Sequence, residues 1–322
     1  MKAIAFSVGS FEEPFLQQTN HELTLLTDQL NLTSVEKANG YEAVLVFGTD
    51  EASKEVLTRL GQLGIRYVLT RSAGTDHIDQ SAADELGIDV KRIPAYSPGA
   101  IAEYAVALML ALGRHLQQAT DNARQFNFKL TPDLVGFELR GKTVGIAGYG
   151  NIGQALASIL TGFGCHLLAY DSTPDSAQAE SPVPIETVSF EALLSRSDII
   201  SLHLPLTEET QALFNHDAFS RMKLGAMLIN TGRGAVLNTA DAIEALKSGQ
   251  LGYLGIDVYE HEQGLFFNDQ SGSSHHDPLV EELLSLPNAL VTGHQAFLTR
   301  EALQAIAQES MAILTEWEQS TP

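Results

Sequence analysis

Lys142 to Asp171 read KTVGIAGYGNIGQALASILTGFGCHLLAYD. Thr143 to Ala147 is a short apolar run, partly β-branched, with the composition of a buried strand. Gly148, Gly150 and Gly153 follow at G-x-G-x-x-G spacing, and Gln154 to Leu160 then reads as the start of a helix. After Gly162 and Gly164 a second apolar run, Cys165 to Tyr170, is closed by Asp171. Strand, glycine-rich turn, helix, strand and acid thus follow one another within a span of about thirty residues, the length of a βαβ unit.

Each part of the unit has a physical reason. Gly148 lets the chain turn tightly, Gly150 lets backbone approach a pyrophosphate, and Gly153 lets the helix pack close to the strand. Tyr149, Asn151 and Ile152 fill the loop between the glycines, where free N–H groups and the positive end of the helix dipole attract phosphate. Asp171 lies 23 positions after Gly148 (171 − 148), close to the roughly 20 expected of an acid that accepts from ribose hydroxyls. A glycine pattern alone also marks ordinary βα turns. With these flanks it reads as a dinucleotide site, and an acid rather than an Arg at its end favours NAD over NADP.

At 322 residues the chain is long enough for about two domains with ample core. Its 40 acidic residues against 19 Lys plus Arg give a formal net charge of −21, a field that disfavours nucleic acid and anionic membranes. A small anionic substrate must therefore find local positive groups. The single cysteine, Cys165, excludes an internal disulfide and, in an apolar run, reads as an inert core thiol in a reducing compartment. The opening MKAIAFSVGSFEE lacks a signal-peptide core, and the most apolar run, Ala105 to Leu112, is too short to span a bilayer. A cytoplasmic location is expected.

Before the central unit, strands are expected at residues 2–8, 42–47, 67–70 and 89–93, with helices at 11–30, 52–63 and 81–86. This alternation predicts a parallel sheet of its own, so the chain holds two. The turn IPAYSPGA, bracketed by Pro94 and Pro98, is a sensible crossing point between domains. Ala100 to Leu116 is apolar all round and must be buried in a core, at a junction or at a subunit interface. Phe126 to Phe137 looks irregular. Beyond Asp171 come a Pro- and Ser-rich surface stretch to Ser189, strands at 198–203, 226–229, 252–258 and 290–292, and helices at 239–247 and 300–318. Residues 262–281 read as a long polar loop.

Ligands of open parallel sheets bind beyond the carboxyl ends of the strands. Four polar phrases stand there: HLPLT with His203, Leu204 and Pro205; NTGRG with Thr231, Gly232 and Arg233; DVYEHE with Asp257 and Glu262; and GHQAF with His294. Arg233 between two glycines suits bidentate carboxylate binding, although a surface Arg paired with a neighbouring acid would look the same. His294 alone would read as a satisfied core histidine. A carboxylate within reach, for which Glu262 is the candidate, would instead fix its tautomer and favour a proton donor.

In this order, the glycine pattern, HLPLT, NTGRG, DVYEHE and GHQAF resemble the D-isomer-specific 2-hydroxyacid dehydrogenase family over essentially the whole chain. RSAGTDHID, PAYSPGAIAEY, DVYEHEQGLFF and TGHQAFLT are most similar to its fermentative, NAD-dependent D-lactate members. The resemblance implies two Rossmann-like or flavodoxin-like α/β domains with parallel sheets and a cleft between them. It implies a discontinuous substrate domain, 1–98 plus 297–322, and an NAD-binding domain, 99–296. The implied catalytic trio is Arg233, Glu262 and His294. The backbone of Ala73 and Gly74 would bind the substrate carboxylate, and Tyr96 and Phe297 would line its pocket. Thr231 and Asp257 would lie by the nicotinamide and His203 to Pro205 on the adenosine side, with Gly232 also contacting the cofactor.

The expected reaction is reduction of pyruvate to D-lactate by NADH, in a homodimer or dimer of dimers. A glyoxylate or hydroxypyruvate reductase of the same family is the alternative, as is a dinucleotide-sensing corepressor of the same fold. Many relatives carry Asn where Thr210 stands, so no cofactor contact is transferred to Thr210. Glu262 rather than Gln as histidine partner sets the chain apart from formate dehydrogenases, and no regulatory domain is expected after Pro322. His261, His275 and His276 lack metal-ligand spacing, so no metal is expected.

Overall fold

The continuous apolar runs become central strands whose two faces are both covered, as a parallel sheet sandwiched by helices requires. A computed structural model of the chain describes residues 1–94, 96–172, 181, 183–273 and 276–320. It divides into two units, Met1–Ser97 with Leu298–Pro322, and Pro98–Phe297. Pro98 and Phe297 thus fall in the second unit rather than the first, because Pro98 opens the helix Pro98–Gly113 at a position where its missing N–H costs nothing.

The first unit holds β1 (Lys2–Ala5), β2 (Glu22–Leu25), β3 (Ala43–Val46), β4 (Tyr67–Thr70) and β5 (Asp89–Arg92), in the order β2-β1-β3-β4-β5. All pairs are parallel, which is the flavodoxin-like order. Side chains alternate across it. Ile4, Val44, Val46 and Val68 pack with Val56, Leu57 and Leu60 of the helix Lys54–Gln62, while Ala3, Ala5, Leu45 and Leu69 meet the C-terminal helix Arg300–Ser320. Trp317 anchors that helix: its indole N–H donates to Asp89 Oδ2 at 2.6 Å and its ring stacks on Tyr67. Residues 11–30 are not one helix. Helix covers only Glu13–Leu16, and β2 takes Glu22–Leu25, an edge strand too short and too exposed to show an alternating pattern.

The second unit holds β6 (Thr143–Ala147), β7 (His166–Tyr170), β8 (Glu186–Thr187), β9 (Ile199–Leu202), β10 (Ala226–Asn230), β11 (Leu251–Ile256) and β12 (Ala289–Val291). Their order is β12-β11-β10-β9-β6-β7-β8, again all parallel. Sequence order reverses between β6 and β9, the Rossmann switch point. The apolar segment at 100–116 is the helix Pro98–Gly113, buried within this unit against the helix Asn151–Gly162, β10 and β11. It stops before His115, which takes a left-handed conformation, and a second helix, Leu116–Arg124, follows.

Other segments depart from expectation. β8 lies inside the stretch read as surface loop, of which 173–180 and Pro182 fall outside the described residues. The polar loop ends at Asp277, whose carboxylate caps the helix Pro278–Ser285 by accepting from Leu279 and Val280 N–H. Short helices at Phe190–Arg196 and His216–Arg221 also escaped the periodicity. Cys165 precedes β7 and is half-buried; burial pushes its thiol up. Among the described residues no helix is long and apolar enough to cross a membrane.

Candidate active site

At the switch point the glycines are required by close backbone approach. Gly148 has φ +93°, and a Cβ there would lie 2.5 Å from His203 O. A Cβ at Gly153 would lie 2.3 Å from Gly148 O, so the helix rests directly on the turn. Gly150, by contrast, caps the helix Asn151–Gly162 and faces open space. Tyr149 is buried, with its N–H donating to Asp171 Oδ2 at 2.7 Å and its hydroxyl 2.7 Å from Ser181 Oγ. Asn151 is exposed, Ile152 half-buried, and Asp171 stands partly exposed just past β7.

Across the switch point His203 follows β9, and its Nε2 lies 2.9 Å from Ser201 Oγ. Burial pushes its pKa down to about 4, so the ring is neutral near pH 7. Leu204 is buried and Pro205 exposed. The Pro205 carbonyl accepts from Thr210 Oγ1 at 2.6 Å, and Thr207 N–H donates to the same hydroxyl at 2.8 Å. Thr210 therefore holds the loop together. Of the four buried side-chain polar atoms that find no protein partner among the described residues, two, His203 Nδ1 and Thr231 Oγ1, belong to these site phrases; the others are Thr187 Oγ1 and Ser197 Oγ. An orphaned His203 nitrogen beside the glycine turn, and an orphaned Thr231 hydroxyl on the loop that passes His203, fit a dinucleotide cofactor that would supply their hydrogen bonds.

NTGRG follows β10, and its shape is set by Asn230, which is 0% exposed. Asn230 Nδ2 donates to Arg233 O at 2.9 Å while its Oδ1 accepts from Gly232 N–H at 3.1 Å. A Cβ on Gly234 would lie 2.1 Å from Tyr259 C and 2.5 Å from Glu260 N, so only glycine lets this loop rest on the chain leaving β11. Arg233 is half-buried on that loop, its Nη1 donating to Gly232 O at 3.0 Å.

Asp257, 0% exposed just past β11, organises the next two phrases. Its Oδ1 accepts from Thr292 Oγ1 at 2.6 Å and from Gln295 N–H at 3.0 Å, its Oδ2 from Ala296 N–H at 2.7 Å, and its carbonyl from His294 N–H at 2.6 Å. Burial pushes the Asp257 carboxyl up, against the opposing effect of these donors. The visible contacts thus make Asp257 the holder of the GHQAF loop, a role its sequence position did not disclose. His294, at φ +54°, brings Nδ1 to 2.8 Å from Glu262 Oε1, and Glu262 Oε2 accepts from Tyr259 N–H at 3.1 Å. With Nδ1 on the carboxylate, Nε2 is the nitrogen that gives or takes a proton.

The structure therefore brings Glu262 and His294 into direct contact, and Gly234 seats the Arg233 loop on Tyr259 and Glu260 in the middle of the same DVYEHE segment. Phe297 is buried at the end of GHQAF. Ala73, Gly74 and Tyr96 belong to the first unit. Ser72 Oγ donates to Gly74 O at 2.8 Å, and Arg92 Nη1 to Ala73 O at 2.9 Å. Arg71, fully buried, anchors this loop with a two-pronged ion pair to Glu12 and hydrogen bonds to Phe6 O and Leu45 O. Tyr96 packs on that unit's core. Among the described residues no three His, Cys, Asp or Glu side chains gather around a metal position. His276 pairs with Glu281, His261 packs against Tyr259, and His275 lies outside the described residues.

The sequence profile of the D-isomer specific 2-hydroxyacid dehydrogenase NAD binding domain matches residues 106–296. The chain is 44% identical to D-lactate dehydrogenase of Escherichia coli K12, over 99% of this chain and 97% of the relative. A solved structure of the pyruvate reductase of Chlamydomonas reinhardtii superposes with a TM-score of 0.91 at 39% identity, covering 100% of this chain and 97% of that one. D-lactate dehydrogenase from Aquifex aeolicus, solved with NAD and lactic acid, does so with a TM-score of 0.88 at 30% identity, covering 99% and 96%. Taken with the glycine turn at a Rossmann switch point, these matches establish that the chain belongs to the D-isomer-specific 2-hydroxyacid dehydrogenase family, whose NAD-binding domain it carries.

Proposed function

We propose that the protein reduces pyruvate to D-lactate with NADH. The observation that carries this reading is the His294–Glu262 pair, 2.8 Å apart, in a chain whose full-length relatives are named for D-lactate and pyruvate chemistry. NADH, when bound, supplies the hydride for the carbonyl carbon. Gly148, Gly150 and Gly153, with the amides of Asn151 and Ile152, would hold its pyrophosphate; the Tyr149 amide, expected there as well, instead donates to Asp171, which would hold the ribose hydroxyls. His203, Leu204 and Pro205 would flank the adenosine, and Thr231, Gly232 and Asp257 the nicotinamide.

In the first unit, taken as the substrate domain, backbone N–H groups of Ala73 and Gly74 would receive the substrate carboxylate, with Tyr96 as lining. In the second, Arg233 grips carboxylate and carbonyl oxygen, which draws charge onto that oxygen, and Phe297 lines the pocket. His294 protonates the developing alkoxide from Nε2 while Glu262 stabilises the imidazolium through Nδ1. The reverse direction uses the same pair with His294 neutral.

Steady-state turnover tests this. Pyruvate should be a fast substrate, whereas slow turnover of every 2-ketoacid would favour a dinucleotide sensor, and preference for glyoxylate or hydroxypyruvate would move the substrate assignment. Arg233→Lys keeps the charge but loses the planar fork, and should lower turnover at saturating pyruvate by about 10²-fold. If only the Michaelis constant rises, Arg233 binds substrate without acting in the transition state. A cytoplasmic location accords with the single cysteine and the acidic composition. A homodimer or dimer of dimers accords with the apolar residues exposed between 126 and 135.

A further inference from the structure

Phe266 and Phe267 follow Glu262 in the sequence EQGLFF, and the fold treats them oppositely. Phe266 is buried and packs near Tyr259, pinning the segment to the chain leaving β11. Side-chain bonds within the segment tie it further: Asn268 Nδ2 donates to Phe266 O at 3.0 Å and Gln270 Nε2 to Gly264 O at 3.1 Å. Phe267 then takes φ +62°, a left-handed conformation that a bulky side chain avoids, and remains 42% exposed. Its ring comes to lie 5.5 Å, centroid to centroid, from the His294 imidazole at an interplanar angle of 42°. His294 is itself at φ +54°. Two strained non-glycine residues therefore present their rings to each other, one of them the partner of Glu262. Core packing does not account for a half-exposed phenylalanine held in this way.

We propose, on the reading that His294 is the proton donor, that Phe267 is a positioning residue for proton transfer. Its ring fixes the plane of the imidazole that Glu262 holds through Nδ1, and its π-electrons favour the imidazolium over the neutral ring. The charged groups set against His294 are Glu262, bonded to Nδ1, and Asp257, whose carbonyl takes the His294 N–H and whose charge acts on the ring. Arg233 stands on the loop seated on Tyr259. Phe267 adds to this set an uncharged group that turns with neither pH nor salt.

The test compares Phe267→Ala, Phe267→Tyr and Glu262→Gln with wild type in three measurements: pH–rate profiles for pyruvate reduction, the same for D-lactate oxidation, and NADH dissociation constants from nucleotide fluorescence. Reduction requires protonated His294, so its rate falls as pH rises. Phe267→Ala should move that falling limb to lower pH and lower reduction at neutral pH about tenfold, with NADH binding unchanged. Phe267→Tyr should restore both. An unmoved limb in Phe267→Ala, whatever its turnover, overturns the proposal, as does a Tyr variant that behaves like Ala. Should the Ala variant fail to fold, Phe267→Leu keeps the bulk and makes the same comparison. If Glu262→Gln moves the limb and the Phe267 variants do not, only the role of Phe267 falls. If Glu262→Gln leaves it unmoved as well, the proton-donor assignment itself fails.

Discussion

Asp257 accepts hydrogen bonds from four residues of one loop, Thr292, His294, Gln295 and Ala296, while its own N–H donates to Asn230 O. A left-handed non-glycine residue costs on the order of 1–3 kcal/mol, and these bonds over-determine the loop enough to hold His294 at φ +54°. Asp171 works differently, since it keeps an exposed face while one oxygen takes the Tyr149 N–H. A 2′-phosphate placed beside this carboxylate meets like charge and loses an acceptor for its ribose hydroxyl. NADH should therefore be strongly preferred over NADPH in kcat/KM, and Asp171→Ala should narrow the gap at some cost to NADH. Equal efficiency of the two cofactors with the unmodified protein would sink this reading.

Most strands could be read from the sequence because a doubly covered parallel strand is a continuous apolar run: AVLV at β3, TVGIA at β6 and AMLIN at β10 are buried almost throughout. β2 and β8 were not legible, because edge strands of four and two residues bury little and carry no pattern. The positions of the site phrases after successive strands were legible for the same reason. Their mutual contacts were not, since Asn230 clamping Arg233 O, Asp257 gathering the GHQAF amides and Phe267 reaching His294 depend on loops that only the folded chain brings together. NTGRG shows how an element carries such information. Its second glycine could have been a mere turn residue, but Gly234 is where two stretches of backbone touch. Gly234→Ala should destabilise the protein by about 1–3 kcal/mol through overpacking and depress turnover further by displacing Arg233. Chemical denaturation and steady-state rates measure both, and a variant matching wild type in each would contradict the contact.

At the scale of the whole molecule, two parallel α/β units of different strand order, β2-β1-β3-β4-β5 and β12-β11-β10-β9-β6-β7-β8, share one chain that leaves the first unit at Ser97 and returns to it at Leu298. The helix after His115 and the irregular segment beyond it leave Phe126 87% and Leu130 89% exposed, more apolar surface than an isolated segment should leave in water. Sedimentation should find a dimer or larger homo-oligomer, shifted toward monomer by Phe126→Ser with Leu130→Ser; a wild-type monomer would contradict the proposal. The chemistry assigned to this architecture rests on proton transfer at His294 under the influence of Glu262. Reduction needs the imidazolium, so its rate is lost as pH rises, whereas oxidation needs the neutral ring and is lost as pH falls. Removing the Glu262 charge withdraws support from the imidazolium. The most direct measurement is a pair of pH–rate profiles, pyruvate reduction and D-lactate oxidation, for wild type and Glu262→Gln. The falling limb of reduction should move to lower pH, and reduction at neutral pH should suffer more than oxidation; a reduction limb that stays where it is in wild type would contradict the role given to Glu262.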